Sequence, residues 1–153
     1  GLVITLFVNT AVMVAGFFMI LLIGGISPDP GLMKAIGMIF LELLVLVAVA
    51  VMFSTFTTPT LSASFSLAIF VIGHMTADLK LLGAKLGDET TKAILDGMYY
   101  LLPNLEYFNV KGQAVHGLPI DTSYLAFATA YGILYSAVIL ILAGMVFQRR
   151  DFK

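Results

Sequence analysis

The feature that most limits what this chain can fold into is its opening run, residues 2–26, which contains no charged side chain. An α-helix rises about 1.5 Å per residue, so about 20 apolar residues cross the hydrocarbon core of a bilayer. The run also lacks the positively charged segment that opens a secretory signal peptide. It therefore predicts a membrane-spanning helix. Because the chain begins at Gly1 without an initiator methionine, we expect the C-terminal piece of a larger protein.

The composition extends this interpretation to the whole chain. Of its 153 residues, 60% are hydrophobic and 11% are charged, whereas an ordinary soluble domain carries about 25% charged residues. A soluble fold of this size could not bury so much apolar surface. The net charge of -1 argues against a nucleic-acid partner, which would need clustered Lys and Arg. The absence of cysteine excludes disulfides, thiolate metal sites and thiol nucleophiles.

Two further apolar runs follow, and the residues between them fit helix ends. Prolines and glycines in residues 24–31 predict a tight turn before a second span at residues 32–53. Thr58 can cap a third helix, and Pro59 can occupy its first position. We expect this third span to cover residues 59–82, with its last charged residues at the level of the lipid headgroups.

The last apolar run, residues 124–147, is followed at once by Arg149 and Arg150. Cations directly after a span favour the cytoplasmic side of a membrane, so we expect a cytoplasmic C-terminus. Charge counting alone leaves the orientation open, because five lysines lie on the opposite side of the predicted spans: Lys34, Lys80, Lys85, Lys92 and Lys111.

Charged residues collect in the loop of residues 83–123, where they recur at helical spacing: Lys85, Glu89, Lys92 and Asp96. Apolar residues fall on the other side of the same helix, and Tyr99 and Tyr100 are of the kind enriched at membrane interfaces. The pattern predicts an amphipathic helix that ends before Pro103 and lies on one leaflet, or alternatively an ordinary packed loop helix. The expected fold is all-α, a polytopic membrane helix bundle of about four transmembrane helices with an amphipathic interfacial helix in its last loop.

Three ionisable residues in the predicted spans are candidate site residues. Glu42 lies near the middle of the second span, where a charged side chain costs at least about 2.5 to 3.5 kcal/mol. It predicts a proton or substrate contact, or else an acid that lies nearer the interface or pairs with a helix outside this sequence. His74 and Asp78 are four residues apart and are expected to form a structural pair, since a metal site would need a third ligand.

The sequence contains no P-loop and no Gly-x-Ser-x-Gly elbow. We therefore expect no catalytic, cofactor or metal site in this chain. An intramembrane hydrolase that uses His74 with Asp78 or Glu42 is a weaker hypothesis, because no nucleophile is recognisable.

Three segments occur in a distinctive order: FSTFTTPTLSA with LAIFVIGH (residues 53–63 and 67–74), YLLPNLEYFN (residues 100–109) and GMVFQRRDF (residues 144–152). They resemble the penultimate span, the following loop and the closing span with its basic tail in exporter-type (type 2) ABC transporter permeases. The permeases in question are of the kind associated with multicopper enzyme maturation and gliding motility. The resemblance is to the C-terminal part of such a subunit only.

The resemblance implies that the chain matches the last four of six helices in a permease half. It implies a second permease half, as a homodimer or heterodimer, and separate ATP-binding subunits that carry ATP and magnesium. It would place residues 83–123 outside a cell membrane and Arg149 in the cytoplasm. The loop helix would then be the outer gate, with its polar and aromatic residues at Glu89, Lys92, Asp96, Tyr99 and Tyr100.

Two questions stay open at this point. Exporters of lipids, peptides, metal-maturation factors and drugs share this architecture, so the substrate class is open. A membrane scaffold that anchors an assembly partner through its small-residue faces and its loop is the alternative to transport, and a neighbouring gene for an ATP-binding subunit would favour the transporter.

Overall fold

The computed structural model describes residues 2–25, 30–76, 78, 81, 85 and 89–151. In this part of the chain every regular element is a helix, which confirms the all-α prediction. A 3-10 helix at Leu105–Phe108 accompanies six α-helices: α1 (Leu2–Ile23), α2 (Pro30–Ser54), α3 (Pro59–His74), α4 (Glu89–Leu101), α5 (Lys111–Val115) and α6 (Thr122–Asp151). The predicted turn after α1 begins at Gly24 and Gly25, and its remainder, residues 26–29, lies outside the described residues.

Two of the described helices are long and apolar enough to cross a membrane, namely α2 and the Thr122–Gln148 part of α6. The sequence predicts four such helices, so the described residues meet this expectation only in part. Ala11–Ile23 of α1 and the whole of α3 are apolar but shorter. The 16 residues of α3 correspond to roughly 24 Å, which is less than the hydrocarbon thickness of a bilayer.

The sequence predicts a third span that continues to residue 82, but α3 ends at His74. Met75 leaves helical geometry with φ -102° and ψ 11°, and its N–H bonds to the carbonyl three residues back. The hydroxyl oxygen of Thr76 lies 3.1 Å from the carbonyl oxygen of Gly73. Thr76, Asp78 and Leu81 are themselves helical, so the described interruption of the helix lies at Met75. Residues 77, 79–80 and 82 of the predicted span lie outside the described residues.

At the start of α3, the predicted position of the proline is confirmed, but the predicted side-chain cap does not form. Pro59 occupies the first helical position as expected, and Thr58 has the extended conformation of an N-cap residue. The side chain of Thr58 makes no capping hydrogen bond, however. In the link between α2 and α3, the Thr57 hydroxyl donates to Phe53 O of α2. Ser62 is buried and donates to Ala50 O of α2 at 2.9 Å, as the small residues in the first turns of α3 predict.

The chain divides into two compact units, Gly1–Val47 with Phe108–Ser136, and Ala48–Tyr107 with Ala137–Lys153. In the first unit α2 and α6 run in the same direction, because Lys34 lies near Ile120 and Leu41 lies near Gly132. The face of α6 that is buried in this unit consists of small residues, at Ala128, Gly132 and Ser136. Such residues allow the close approach of helices that packing in lipid requires.

The most deeply buried large side chains belong to the loop before α6. Pro103, Leu105, Phe108 and Val110 are all essentially inaccessible to solvent. In the second unit Leu105 packs directly on Gly73 of α3, and in the first unit the ring of Phe108 packs on α6. The loop is therefore part of the packed interior, whereas the sequence predicts only that it lies between spans.

Replacing Gly73 with Ala should destabilise the protein by about 1 to 3 kcal/mol through overpacking. A Cβ atom at this position would lie 2.7 Å from Leu105 Cγ and 2.9 Å from the backbone oxygen of Pro103. Gly37→Ala is the matched control, since a Cβ there meets no described atom within 4 Å. Thermal unfolding in detergent, followed by circular dichroism, measures both. Equal stability of the two variants would contradict the packing of the loop on α3.

The N-terminus of α6 is capped by Asp121. Its carboxylate accepts the backbone N–H of Ser123 at 3.2 Å and the Ser123 hydroxyl at 2.5 Å, and its carbonyl accepts the N–H of Leu125. The bond from the Ser123 hydroxyl, followed by the bond from its N–H, lowers the pKa of the Asp121 carboxyl below its ordinary value of 3.8.

This lowered pKa predicts a pH dependence of the cap. A carboxyl with a lower pKa in the folded state stabilises the fold above pH 3.8, and this contribution is lost as the pH falls through the folded pKa. Melting temperatures measured over the acid range should therefore fall less steeply for Asp121→Asn, because a neutral amide still caps the helix. The control is Asp78→Asn, which changes an exposed acid. Identical curves for wild type and Asp121→Asn would contradict the assignment.

Candidate functional site

Glu42 is the buried acid around which the candidate site is built. It lies on the buried face of α2, and its side chain is only 5% exposed. The ammonium group of Lys111, at the start of α5, lies 3.9 Å from Glu42 Oε2. The cation beside the acid therefore comes from the loop of this chain itself, a possibility that the sequence interpretation did not include.

The two members of this pair differ strongly in exposure. The Lys111 side chain is 51% exposed, whereas the carboxylate is almost fully enclosed. A carboxylate removed from water needs a nearby cation or hydrogen-bond donors, because its desolvation costs several kcal/mol. A half-exposed ammonium keeps much of its hydration. Lys111 can therefore leave the pair at a much smaller cost than Glu42 can.

A second contact joins the same loop to α2. The ammonium group of Lys34 donates to Ile120 O at 3.3 Å. Lys34 and Glu42 are separated by two helical turns, roughly 12 Å, and lie on the same face of α2. Residues 111–120, here called the strap, are therefore attached to α2 at both ends.

Most of the strap is exposed, whereas the residues at its two ends are buried. Val110 before it and Ile120 at its end are buried, whereas the residues between them are exposed, apart from a half-buried Ala114. The strap contains α5 and then Gly117, whose φ of 62° belongs to the left-handed region that favours glycine. It is thus a surface segment held between two buried anchors.

His74 and Asp78 do not lie on one uninterrupted helix, because α3 ends at His74. The Nδ1 atom of His74 lies 3.0 Å from Phe70 O, and its ring packs on the Phe70 ring with centroids 4.6 Å apart. Asp78 is exposed. Their pairing stays a prediction. Among the described residues no three His, Asp or Glu side chains come together as a metal site would require.

The predicted loop helix exists as α4 and ends before Pro103, as expected. Its predicted residues Glu89, Lys92 and Tyr100 are exposed, whereas Asp96 and Tyr99 are half-buried. The rings of Tyr99 and Tyr100 have centroids 5.4 Å apart in an edge-to-face arrangement. Ile94 and Leu101 are 59% and 76% exposed. The helix therefore presents apolar and aromatic side chains on its surface.

A polar junction connects the end of α3 to the loop. Asn104 Oδ1 lies 2.9 Å from Thr76 Oγ1 and accepts the N–H of Glu106 at 3.1 Å. The asparagine thereby caps the 3-10 helix that carries Leu105 and Phe108 into the interior. The sequence interpretation missed this junction, although an asparagine directly before a short apolar helix is a recognisable N-cap signal.

These features define an all-helical protein with two helices that can cross a membrane and a buried acid paired to a surface strap. The chain belongs to the DUF2705 family, a family of proteins of unknown function, whose family model matches residues 1–153. No curated protein and no solved structure matches the chain.

The pairing of Glu42 with Lys111 predicts an asymmetric response to mutation. Lys111→Met should destabilise the protein by about 1 to 3 kcal/mol, since the buried carboxylate loses the cation that lies 3.9 Å from it. Lys111→Arg should be close to wild type, and Lys92→Met on α4 is the matched control for loss of an exposed lysine.

The double variant Glu42→Gln with Lys111→Met tests whether the two residues act as a pair. It should be more stable than Lys111→Met alone, because a neutral amide needs no cation. Unfolding in detergent measures all of these variants. Strictly additive effects of the two substitutions would contradict the ion pair.

Proposed function

We propose that this chain is the C-terminal part of a membrane-embedded permease subunit of an ATP-driven ABC exporter. In this proposal four helical spans, α1, α2, α3 with the residues that follow it, and α6, form part of a translocation pathway with a second permease half. Separate subunits bind and hydrolyse ATP. The single observation that carries the proposal is the ordered resemblance of residues 53–152 to such permeases.

The exposure of the apolar helices supports the membrane part of the proposal. In the most apolar windows of α2 and α6, 28% and 17% of the residues are buried within the protein. An apolar core helix of a soluble protein would be mostly buried. Exposed apolar side chains on successive turns, such as Ile133, Val138 and Ile141 of α6, suit contact with lipid or with further spans.

The loop before α6 supports a role for α4 as an outer gate. In the described part of the chain, α4 leads directly into residues 103–110, where Pro103 and Leu105 are buried; in the second unit Leu105 packs on Gly73 of α3. A helix joined to such an anchor can transmit a movement of the spans to the surface, which is what a gate requires. The exposed Ile94, Tyr100 and Leu101 fit a helix at a membrane interface.

The proposed orientation places the loop outside the cell and both the α2–α3 link and the C-terminus in the cytoplasm. Transport then proceeds by alternating access, with ATP-driven closure of the partner subunits moving the two permease halves against each other. No residue of this chain takes part in ATP hydrolysis in this mechanism.

Co-purification tests the proposal directly. The full-length protein, tagged and extracted from its native membrane in mild detergent, should bring with it a Walker-type ATP-binding subunit at equal stoichiometry. The control is an unrelated multi-span protein with the same tag from the same membranes. Recovery of the protein alone, or with a partner that binds no ATP, would contradict the exporter and favour the membrane scaffold. Recovery from the soluble fraction would contradict both.

A further inference from the structure

We infer that the strap is a movable cover over the face of α2 between Lys34 and Glu42, and that the Glu42–Lys111 ion pair is the latch that holds it closed. The inference goes beyond the proposed function and does not depend on it. It rests on the attachment, exposure and backbone of residues 111–120 in the first compact unit.

The geometry of attachment gives the first argument. The strap contacts α2 at its two ends, through Lys111 to Glu42 at 3.9 Å and through Ile120 O to Lys34 at 3.3 Å. Met38 lies on the same helical face midway between these two points, and it is only 3% exposed. The strap therefore begins and ends on the stretch of α2 that contains this position.

The asymmetry of the contacts gives the second argument. Val110 and Ile120 are apolar and buried on either side of the strap, so they hold its ends in place when its middle moves. Lys111 joins the strap to α2 through a side chain that is half-exposed. Exchange of this ammonium from the carboxylate to water is therefore the easiest step by which α5 can lift from α2.

The backbone of the strap allows such a movement. Gly112 lies in the first turn of α5, and Gly117 follows the end of this helix. A Cβ atom added to either glycine would have no described atom within 4 Å. The strap residues between the anchors are mostly exposed, so lifting α5 breaks few packing contacts.

Opening of the strap has a defined chemical consequence. It would give water access to a carboxylate that the closed strap encloses, and a carboxylate attracts protons and cations and repels anions. The strap would thus control when Glu42 meets a cation from the loop side of α2.

Cysteine labelling tests the latch; these 153 residues contain no cysteine, and any cysteine elsewhere in the full-length protein is first replaced with serine. The full-length protein with Met38→Cys is treated in detergent with a positively charged methanethiosulfonate reagent, and the rate of modification is measured. Adding Lys111→Met should raise this rate about tenfold or more, since removal of the ion pair favours the open strap. Lys111→Arg and the control Lys92→Met should leave the rate unchanged.

A second reporter separates local opening from loss of the fold. Ala128→Cys lies on α6 at a fully buried position, and its modification should stay slow in the Lys111→Met background. An unchanged rate at Met38→Cys in that background would overturn the latch. An equal acceleration at Ala128→Cys would also overturn it, because it would show general unfolding rather than movement of the strap.

Discussion

The apolar surface of the helices is the constraint on which the rest of the structure depends. Large apolar side chains on α1, α3 and α6 are exposed along several turns, including Met13, Phe65 and Leu134. In a soluble protein this surface would be exposed to water, which costs about 25 cal/mol of free energy per Å² of apolar area. In a bilayer the same side chains face an equally apolar solvent, so burying them between helices yields little. In the membrane environment that we propose, packing then depends on close approach and on polar contacts.

The contacts among the described residues are close approaches between helices and polar contacts. Ser62 donates to a carbonyl of α2 across the α2–α3 turn, and the positions of Gly73 and Gly132 allow Leu105 and Phe108 to approach the helix backbones. The irregular loop that brings in these two side chains needs its own hydrogen-bond partners, because unsatisfied backbone groups are costly away from water. Asn104 supplies one by accepting the N–H of Glu106. In the second unit, Gly73 of α3 and Asn104 of the loop thus both contribute to the packing of Leu105.

The elements that depend on local sequence could be predicted. Proline at the first position of α3 and the end of α4 before Pro103 follow from backbone stereochemistry, and both are confirmed. The end of α3 at His74 could not be predicted in this way, and the contacts beside it join Thr76 to Gly73 and to Asn104 of a loop that is distant in sequence. Hydropathy continues across this point because it responds to composition and not to tertiary contacts.

The candidate site could likewise be predicted only in part from the sequence. A lone acid in an apolar run identifies Glu42 as a residue that needs a partner, but five lysines of the loop side are equivalent in the sequence. Only the fold brings Lys111, 69 positions later in the chain than Glu42, to within 3.9 Å of the carboxylate. The spacing of His74 and Asp78 suggested a pair on one helical face, and the break after His74 removes the helix on which that inference depended.

We propose that the chain crosses a membrane, with the strap outside the cell and the α2–α3 link in the cytoplasm. Single cysteines at Gln113 and Thr57, introduced into the full-length protein in intact cells and treated with a membrane-impermeant maleimide, test it most directly. The account predicts that Gln113→Cys is labelled in intact cells and that Thr57→Cys is labelled only after the membrane is permeabilised. Labelling of both positions from the same side would contradict it.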